Sequence, residues 1–144
     1  MVENHNIDKI VENVWLGNYI SSLNIKALKD KCITKILVIT DRKIPEYNKE
    51  DGFNHLVFKV ADFSSQNIIQ YFGECLNFIK GEEKVLVHSI SGSSRSASII
   101  IAYIIGLNKM TFEEAFQFVK EKRNCIGPKK GVVELLKIEI IKRK

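Results

Sequence analysis

The sequence is poor in residues that interrupt or cross-link a chain. Its 144 residues include two prolines, eight glycines and three cysteines. There is no internal repeat and no stretch rich in proline, glycine or serine, so residues 1–144 are predicted to form a single domain. Cys32, Cys75 and Cys125 are widely separated, which argues against a disulfide framework or a zinc site. We expect three core or near-core cysteines in a reducing, cytoplasmic (or nuclear) compartment.

The chain also lacks long hydrophobic runs and dense clusters of one charge. The longest apolar run, Ala97 to Leu107, is too short to span a bilayer and predicts a buried helix. The polar segment from Met1 to Lys9 does not resemble a signal peptide. The net charge of +5 is compatible with an anionic substrate, but the basic residues are spread along the chain. Neither a nucleic acid nor a membrane is therefore expected as a partner.

Strand-like and helix-like segments alternate along the sequence. Short apolar runs predict strands at Val11–Leu16, Lys35–Thr40, Leu56–Val60 and Val85–Val87. Helical spacing predicts a short helix around Ile25–Leu28 capped by Ser21 or Ser22, and longer helices over Ile68–Ile79, Ile99–Ile105, the segment after the capping box Thr111/Glu114, and Val132–Ile141. This alternation predicts an α/β domain with a central, mostly parallel (mixed) sheet flanked by helices.

The segment 88–96 joins the carboxyl end of a buried strand to the start of an apolar helix, where open α/β sheets bind ligands. A helix start offers free N–H groups and a positive dipole end to an anion. Gly92 lets the backbone approach closely, and Arg95 can bind two phosphate oxygens. The predicted phosphate-binding residues are Ile90, Ser91, Gly92, Ser93, Ser94 and Arg95.

Other interpretations of this segment fit less well. A Walker loop would require a lysine after its second glycine, and a serine-hydrolase elbow would require glycines two residues on either side of Ser89. A serine- and glycine-rich turn with a solvated Arg95 remains the alternative without function. The apolar strand and helix on either side favour the phosphate loop.

The string His88-Ser89-x-x-Gly92-x-x-Arg95-Ser96 resembles the motif His-Cys-x-x-Gly-x-x-Arg-Ser/Thr of the cysteine-dependent phosphatases. Further segments are similar to the dual-specificity branch of that superfamily, from about Ile10 to about Leu136; they include Val14–Gly17, Ile33–Leu37, Tyr71-Phe72, Ala102-Tyr103 and Met110–Ala115. The resemblance implies a phosphotyrosine-phosphatase-like fold, a phosphorylated protein substrate, and no cofactor or metal. A monomer is expected.

The resemblance also implies residue roles. Position 89 would carry the nucleophile, Arg95 would hold the phosphate, and Ser96 would help the thiolate to leave. Asp62 would protonate the leaving oxygen, while His88 would shape the loop and lower the pKa of the cysteine. From the sequence alone Asp41 and Asp51 compete with Asp62 for the acid role, and we interpret both as surface aspartates.

The main departure from the family motif is Ser89. A cysteine there would be a thiolate, whereas a serine hydroxyl needs an adjacent base to become nucleophilic. The chain as written is therefore expected to bind phosphate without appreciable turnover. Because Asp62, Gly92, Arg95 and Ser96 are all present, we favour an engineered replacement in an active enzyme over a natural pseudophosphatase that binds phosphoproteins.

A second departure follows Pro128. Many members of the family have Asn and then a Gly-Phe pair there, whereas this chain has Lys129-Lys130-Gly131-Val132. The support of the phosphate loop from this segment is therefore expected to differ.

Overall fold

The computed structural model describes residues 7–59, 65–89, 95–128 and 130–142. The strands in this part of the chain are β1 (Ile7–Val11), β2 (Val14–Gly17), β3 (Ile33–Thr40), β4 (Asn54–Lys59) and β5 (Lys84–His88). The helices are α1 (Tyr19–Ser22), α2 (Ile25–Asp30), α3 (Ser65–Ile79), α4 (Arg95–Asn108), α5 (Phe112–Lys122) and α6 (Lys130–Lys142). A 3-10 turn spans Lys49–Asp51.

The five strands form one mixed sheet in the order β1-β2-β5-β3-β4. Strand β1 pairs with β2 in antiparallel fashion, and every other neighbouring pair is parallel. The register pairs Gly17 of β2 with His88 of β5, and Val38 of β3 also pairs with His88. The carboxyl ends of β2, β3 and β5 therefore meet at one edge of the sheet. The predicted fold class, α/β with a mostly parallel central sheet flanked by helices, is confirmed.

Alternation along β5 separates two hydrophobic clusters on the two faces of the sheet. Val85 and Val87 join a larger cluster with buried side chains of α3 to α6, which we call the large core. Leu86 joins the small core, whose buried members are Ile7, Trp15, Leu28, Ile33, Ile36 and Leu86. Because Val85 and Val87 face one cluster and Leu86 faces the other, the strand that leads into the predicted loop is buried on both faces.

Helix α4 packs against the large-core face of the sheet, the face that carries Val85 and Val87. Nine of its residues, from Ser96 to Ile105, are buried, and the helix contacts β2, β3, β5, α5 and α6. The predicted buried helix over the apolar run is thus confirmed. In the part of the chain that the structure describes, no helix is long and apolar enough to cross a bilayer.

Strand β1 corrects the sequence-based prediction at the amino-terminal end. A single strand was expected over Val11–Leu16, but Asn13 adopts φ 71° and turns the chain into a two-stranded hairpin. Asparagine tolerates this left-handed conformation better than most residues. The burial of β1 does not alternate, since Ile7 and Ile10 are buried, Lys9 is exposed and the other two residues are partly buried, and this explains why its pattern did not predict a strand.

The caps of the first two helices also differ from expectation. Asn18 caps α1, and its side chain accepts a hydrogen bond from the Ser21 amide at 2.8 Å. Asn24 caps α2 by accepting from the Ala27 amide at 3.1 Å. The predicted serine caps are therefore wrong, because Ser21 and Ser22 lie inside α1.

The predicted capping box of α5 is confirmed. The Thr111 side chain accepts from the Glu114 amide, and the Glu114 side chain accepts from the Thr111 amide.

The cysteines are only partly as expected. Cys75 is buried in the large core, where burial raises the pKa of its thiol to about 12. Cys32 and Cys125 are exposed, so their prediction as core or near-core residues is wrong. Each lies in a turn or loop just outside a regular element, and the apolar spacing of neighbouring helices does not include it.

Candidate active site

The end of β5 and the start of α4 bring two hydroxyl groups together. Ser89 directly follows β5, and Ser96 is the second residue of α4. Their Oγ atoms lie 3.0 Å apart, and the two residues are 4% and 0% exposed. The predicted nucleophile position and the predicted partner of the leaving sulfur are therefore adjacent and shielded from water.

The chemistry of this contact depends on what each hydroxyl can do. Either oxygen can donate to the other, but neither hydroxyl is a base at neutral pH. A cysteine thiolate at position 89 could instead accept a hydrogen bond from the Ser96 hydroxyl, which would stabilise its negative charge. The pair thus suits a thiolate better than a serine nucleophile.

His88 is completely buried at the end of β5. It is two residues beyond Leu86, so strand alternation places it on the small-core face, whereas α4 packs on the other face. Burial, and then the nearby His55, lowers the pKa of the imidazole to about 3. With such a low pKa, His88 is too weak a base to activate the Ser89 hydroxyl.

Arg95, the first residue of α4, is ion-paired with Asp41. Its Nη1 donates to an Asp41 carboxylate oxygen at 3.2 Å. This hydrogen bond is the largest cause that lowers the pKa of Asp41, and the charge of Arg42 acts in the same direction. Asp41 is exposed, as expected of a surface aspartate, but the sequence did not predict that it contacts Arg95.

Several predicted site residues lie outside the described residues. They are Asp62 and the loop positions Ile90, Ser91, Gly92, Ser93 and Ser94. Their assignments remain predictions from the sequence. The third candidate acid, Asp51, lies in the 3-10 turn with a carboxylate oxygen 3.3 Å from Lys29 Nζ.

Comparison with protein families decides the membership of the chain. Residues 14–140 match the model of the dual specificity phosphatase catalytic domain. The chain belongs to this family. The match runs from β2 into α6, so it covers four of the five strands, the segment 88–96 and the helices of this dual specificity phosphatase domain, while β1 precedes it.

Curated relatives agree with this assignment. A MAP kinase phosphatase with leucine-rich repeats from Dictyostelium discoideum is 39% identical over 133 residues, which are 90% of this chain and 16% of the relative. Dual specificity protein phosphatase 1 of Arabidopsis thaliana is 33% identical over 91% of this chain and 68% of the relative. The human serine/threonine/tyrosine-interacting protein is 36% identical over 90% of this chain and 62% of the relative. The chain thus spans between about a sixth and about two thirds of these relatives.

A solved structure shows the same fold. The crystal structure of human tyrosine phosphatase-like serine/threonine/tyrosine-interacting protein matches with a TM-score of 0.83 and 34% identity, over 98% of this chain and all of that one. The predicted resemblance to dual-specificity phosphatases is therefore confirmed for the family and the fold.

The contact between Asp41 and Arg95 is the feature of the site that the sequence did not predict, since Asp41 was interpreted as a surface aspartate. Asp41 follows β3 directly, and β3 is the neighbour of β5 in the sheet. The residue that follows a parallel strand at this edge is a candidate for the ligand site. That position was a usable signal, but it acquires meaning only when β3 is known to lie beside β5.

Proposed function

We propose that this domain recognises phosphorylated tyrosine, serine and threonine side chains of proteins, and that Ser89 stops the reaction at the binding step. The observation that carries the proposal is the buried contact of 3.0 Å between Ser89, which follows β5, and Ser96 in the first turn of α4. The nucleophile position has a hydroxyl partner and a buried, weakly basic neighbour, His88. Such a site can hold an anion at a helix start but does not generate an alkoxide.

The chemistry for which the site is built is phosphocysteine chemistry. A thiolate at position 89 would attack phosphorus while the bond to the leaving oxygen breaks, and Asp62 would give that oxygen a proton. Water would then attack phosphorus and pass a proton to Asp62, and the sulfur would leave as a thiolate stabilised by the Ser96 hydroxyl. Arg95 would carry the phosphate charge through both steps. No step of this sequence uses a metal or cofactor.

Two origins of Ser89 are compatible with this proposal. In the first, serine replaces a native cysteine in an active dual-specificity phosphatase, which the retained Arg95 and Ser96 favour. In the second, serine is native and the domain is a pseudophosphatase that binds phosphoproteins. The second is favoured by the likeness to a protein described as tyrosine phosphatase-like and as serine/threonine/tyrosine-interacting.

The decisive experiment compares the chain as written with Ser89→Cys and, as a matched control, Ser89→Ala. All three are expected to bind a phosphotyrosine peptide in calorimetric titrations. Only Ser89→Cys is expected to hydrolyse a generic aryl phosphate, with the rate unchanged by a chelator. Adding Asp62→Asn to Ser89→Cys should lower turnover about 10²–10⁴-fold, and less for leaving groups that need no proton.

Each part of the proposed function has an experimental outcome that would contradict it. If the Ser89→Cys protein binds phosphate but does not hydrolyse the aryl phosphate, the active-enzyme hypothesis is contradicted and the pseudophosphatase hypothesis is favoured. Turnover by the Ser89→Ala control would mean that the nucleophile lies elsewhere. Hydrolysis of phosphotyrosine peptides by Ser89→Cys, with none of matched phosphothreonine peptides, would contradict dual specificity.

A further inference from the structure

Asp41 and Arg95 are far apart in sequence but meet at the edge of the sheet where the phosphate loop begins. Asp41 is the first residue after β3, and Arg95 is the first residue of α4, the helix that follows β5. Because β3 and β5 are parallel neighbours, their carboxyl ends lie side by side. The contact is therefore a consequence of strand order, and it puts a carboxylate beside the arginine that would bind phosphate.

One carboxylate oxygen of Asp41 lies between two guanidinium groups. It is 3.2 Å from Nη1 of Arg95 and 3.8 Å from Nε of Arg42. The Arg42 side chain is 74% exposed, whereas that of Arg95 is 21% exposed. The carboxylate thus has a closer partner at the site and a second, more mobile partner on the solvent side, since a long exposed side chain can change its conformation at little cost.

We propose that Asp41 is an internal competitor of phosphate: it occupies Arg95 when the site is empty and passes to Arg42 when phosphate binds. The inference rests on the proposed function, because it assigns Arg95 to the phosphate. A carboxylate and a phosphate use the same guanidinium donors, and two anions held close to each other repel. Arg42 lowers the cost of exchange because it lies within reach of the same oxygen.

This arrangement has a consequence for affinity. The bare loop and Arg95 would bind phosphate more tightly than the intact domain does, because binding must break the Asp41–Arg95 contact. An exposed pair of this kind is weak, so the effect on the dissociation constant is expected to be about two- to fivefold. The effect should shrink at high salt, where exposed charges are screened.

The test measures binding of inorganic phosphate and of a phosphotyrosine peptide by calorimetry at low and high salt. Asp41→Asn is expected to lower both dissociation constants about two- to fivefold. The control variant Asp30→Asn makes the same change in net charge. Asp30 is an exposed residue of α2 whose carboxylate lies 3.0 Å from Nζ of Lys26, so this variant should leave both dissociation constants unchanged. The control separates local competition from a general change in charge.

Arg42 provides the second half of the test. Arg42→Gln is expected to weaken phosphate binding in the native background, because Asp41 loses its alternative partner. In the Asp41→Asn background, Arg42→Gln should change the dissociation constant for phosphate much less. The difference between its effects in the two backgrounds measures the coupling between Arg42 and Asp41. Equal effects in both backgrounds would show that Arg42 attracts phosphate directly, which overturns the exchange.

The possible failures are distinguishable. If the native chain binds phosphate and Asp41→Asn binds it equally well or more weakly, the competition is refuted, and weaker binding would make Asp41 a residue that positions Arg95. If neither the native chain nor any of the variants binds phosphate or the peptide, the proposed function is refuted, and the competition with it.

Discussion

The large core and the small core pack against opposite faces of one sheet but differ in their titratable groups. The large core holds Cys75, whose raised pKa of about 12 keeps the thiol uncharged at neutral pH. The small-core face carries His88 and His55, whose pKa values are lowered by burial. Nε2 of His55 is buried and has no hydrogen-bond partner among the described residues. One face therefore supplies stability over a wide pH range, and the other makes stability sensitive to acid.

The largest expected effects come from deleting matched leucines in the two cores. Leu37 lies in the large core and Leu86 in the small core, both are strand residues, and both are fully buried. We expect Leu37→Ala to lower the free energy of unfolding by about 4–5 kcal/mol and Leu86→Ala by about 2–3 kcal/mol. The small core should relax more readily, because it has six buried members, whereas the large core combines buried side chains of the sheet with those of four helices.

Urea denaturation monitored by circular dichroism measures both losses. An equal or larger loss for Leu86→Ala would show that the small core is packed as rigidly as the large one, so that the two cores differ only in their titratable groups.

The next effect concerns pH. The folded-state pKa of His88 is about 3 and lies below the ordinary value of 6.5, so the unfolded chain binds more protons between these values. The contribution of His88 to the free energy of unfolding should therefore be fully present above pH 6.5 and should be lost as the pH drops towards 3. Between pH 7 and pH 5 the loss from His88 is about 2 kcal/mol.

His88→Asn removes this titration and should flatten the stability profile measured by denaturation between pH 7 and pH 5. His55→Asn serves as a graded control, because His55 is only half-buried and its pKa is shifted in the same direction. A profile that keeps its full slope in His88→Asn would place the acid sensitivity in other groups.

The smallest effects are expected at the helix caps on the two sides of the sheet. Asn24 caps α2, which contributes Leu28 to the small core, and Thr111 caps α5, which contributes Ala115 and Val119 to the large core. Asn24→Ala and Thr111→Ala should each lower stability by about 1 kcal/mol. Each substitution removes one side-chain hydrogen bond to a helix amide, and the bond from the residue-111 amide to the Glu114 side chain stays in Thr111→Ala, so the two losses are expected to be similar.

Thermal unfolding measures both losses when the two variants are compared with Thr34→Ala. Thr34 is an exposed residue of β3 whose hydroxyl contacts Glu83 at 2.9 Å, and it caps no helix. If Asn24→Ala and Thr111→Ala lower stability no more than Thr34→Ala does, tertiary packing rather than capping holds α2 and α5 in place.

The sequence by itself determined the features that depend on local patterns. Continuous apolar runs predicted β3 and β5, helical spacing predicted α3 and α4, and a threonine three residues before a glutamate predicted the start of α5. The family resemblance around segment 88–96 predicted that positions 89 and 96 work together, and their hydroxyls are indeed in contact. These signals are local because hydrogen-bond periodicity and caps involve residues within four positions of each other.

Only the tertiary structure decided which distant residues meet. The place of β5 between β2 and β3 brings Asp41 to Arg95, and it sets His88 on the same face of the sheet as His55. The hairpin strand β1 likewise depends on pairing with β2, because its own pattern of burial is irregular. Strand order is fixed by the packing of whole faces, so no short stretch of sequence records it.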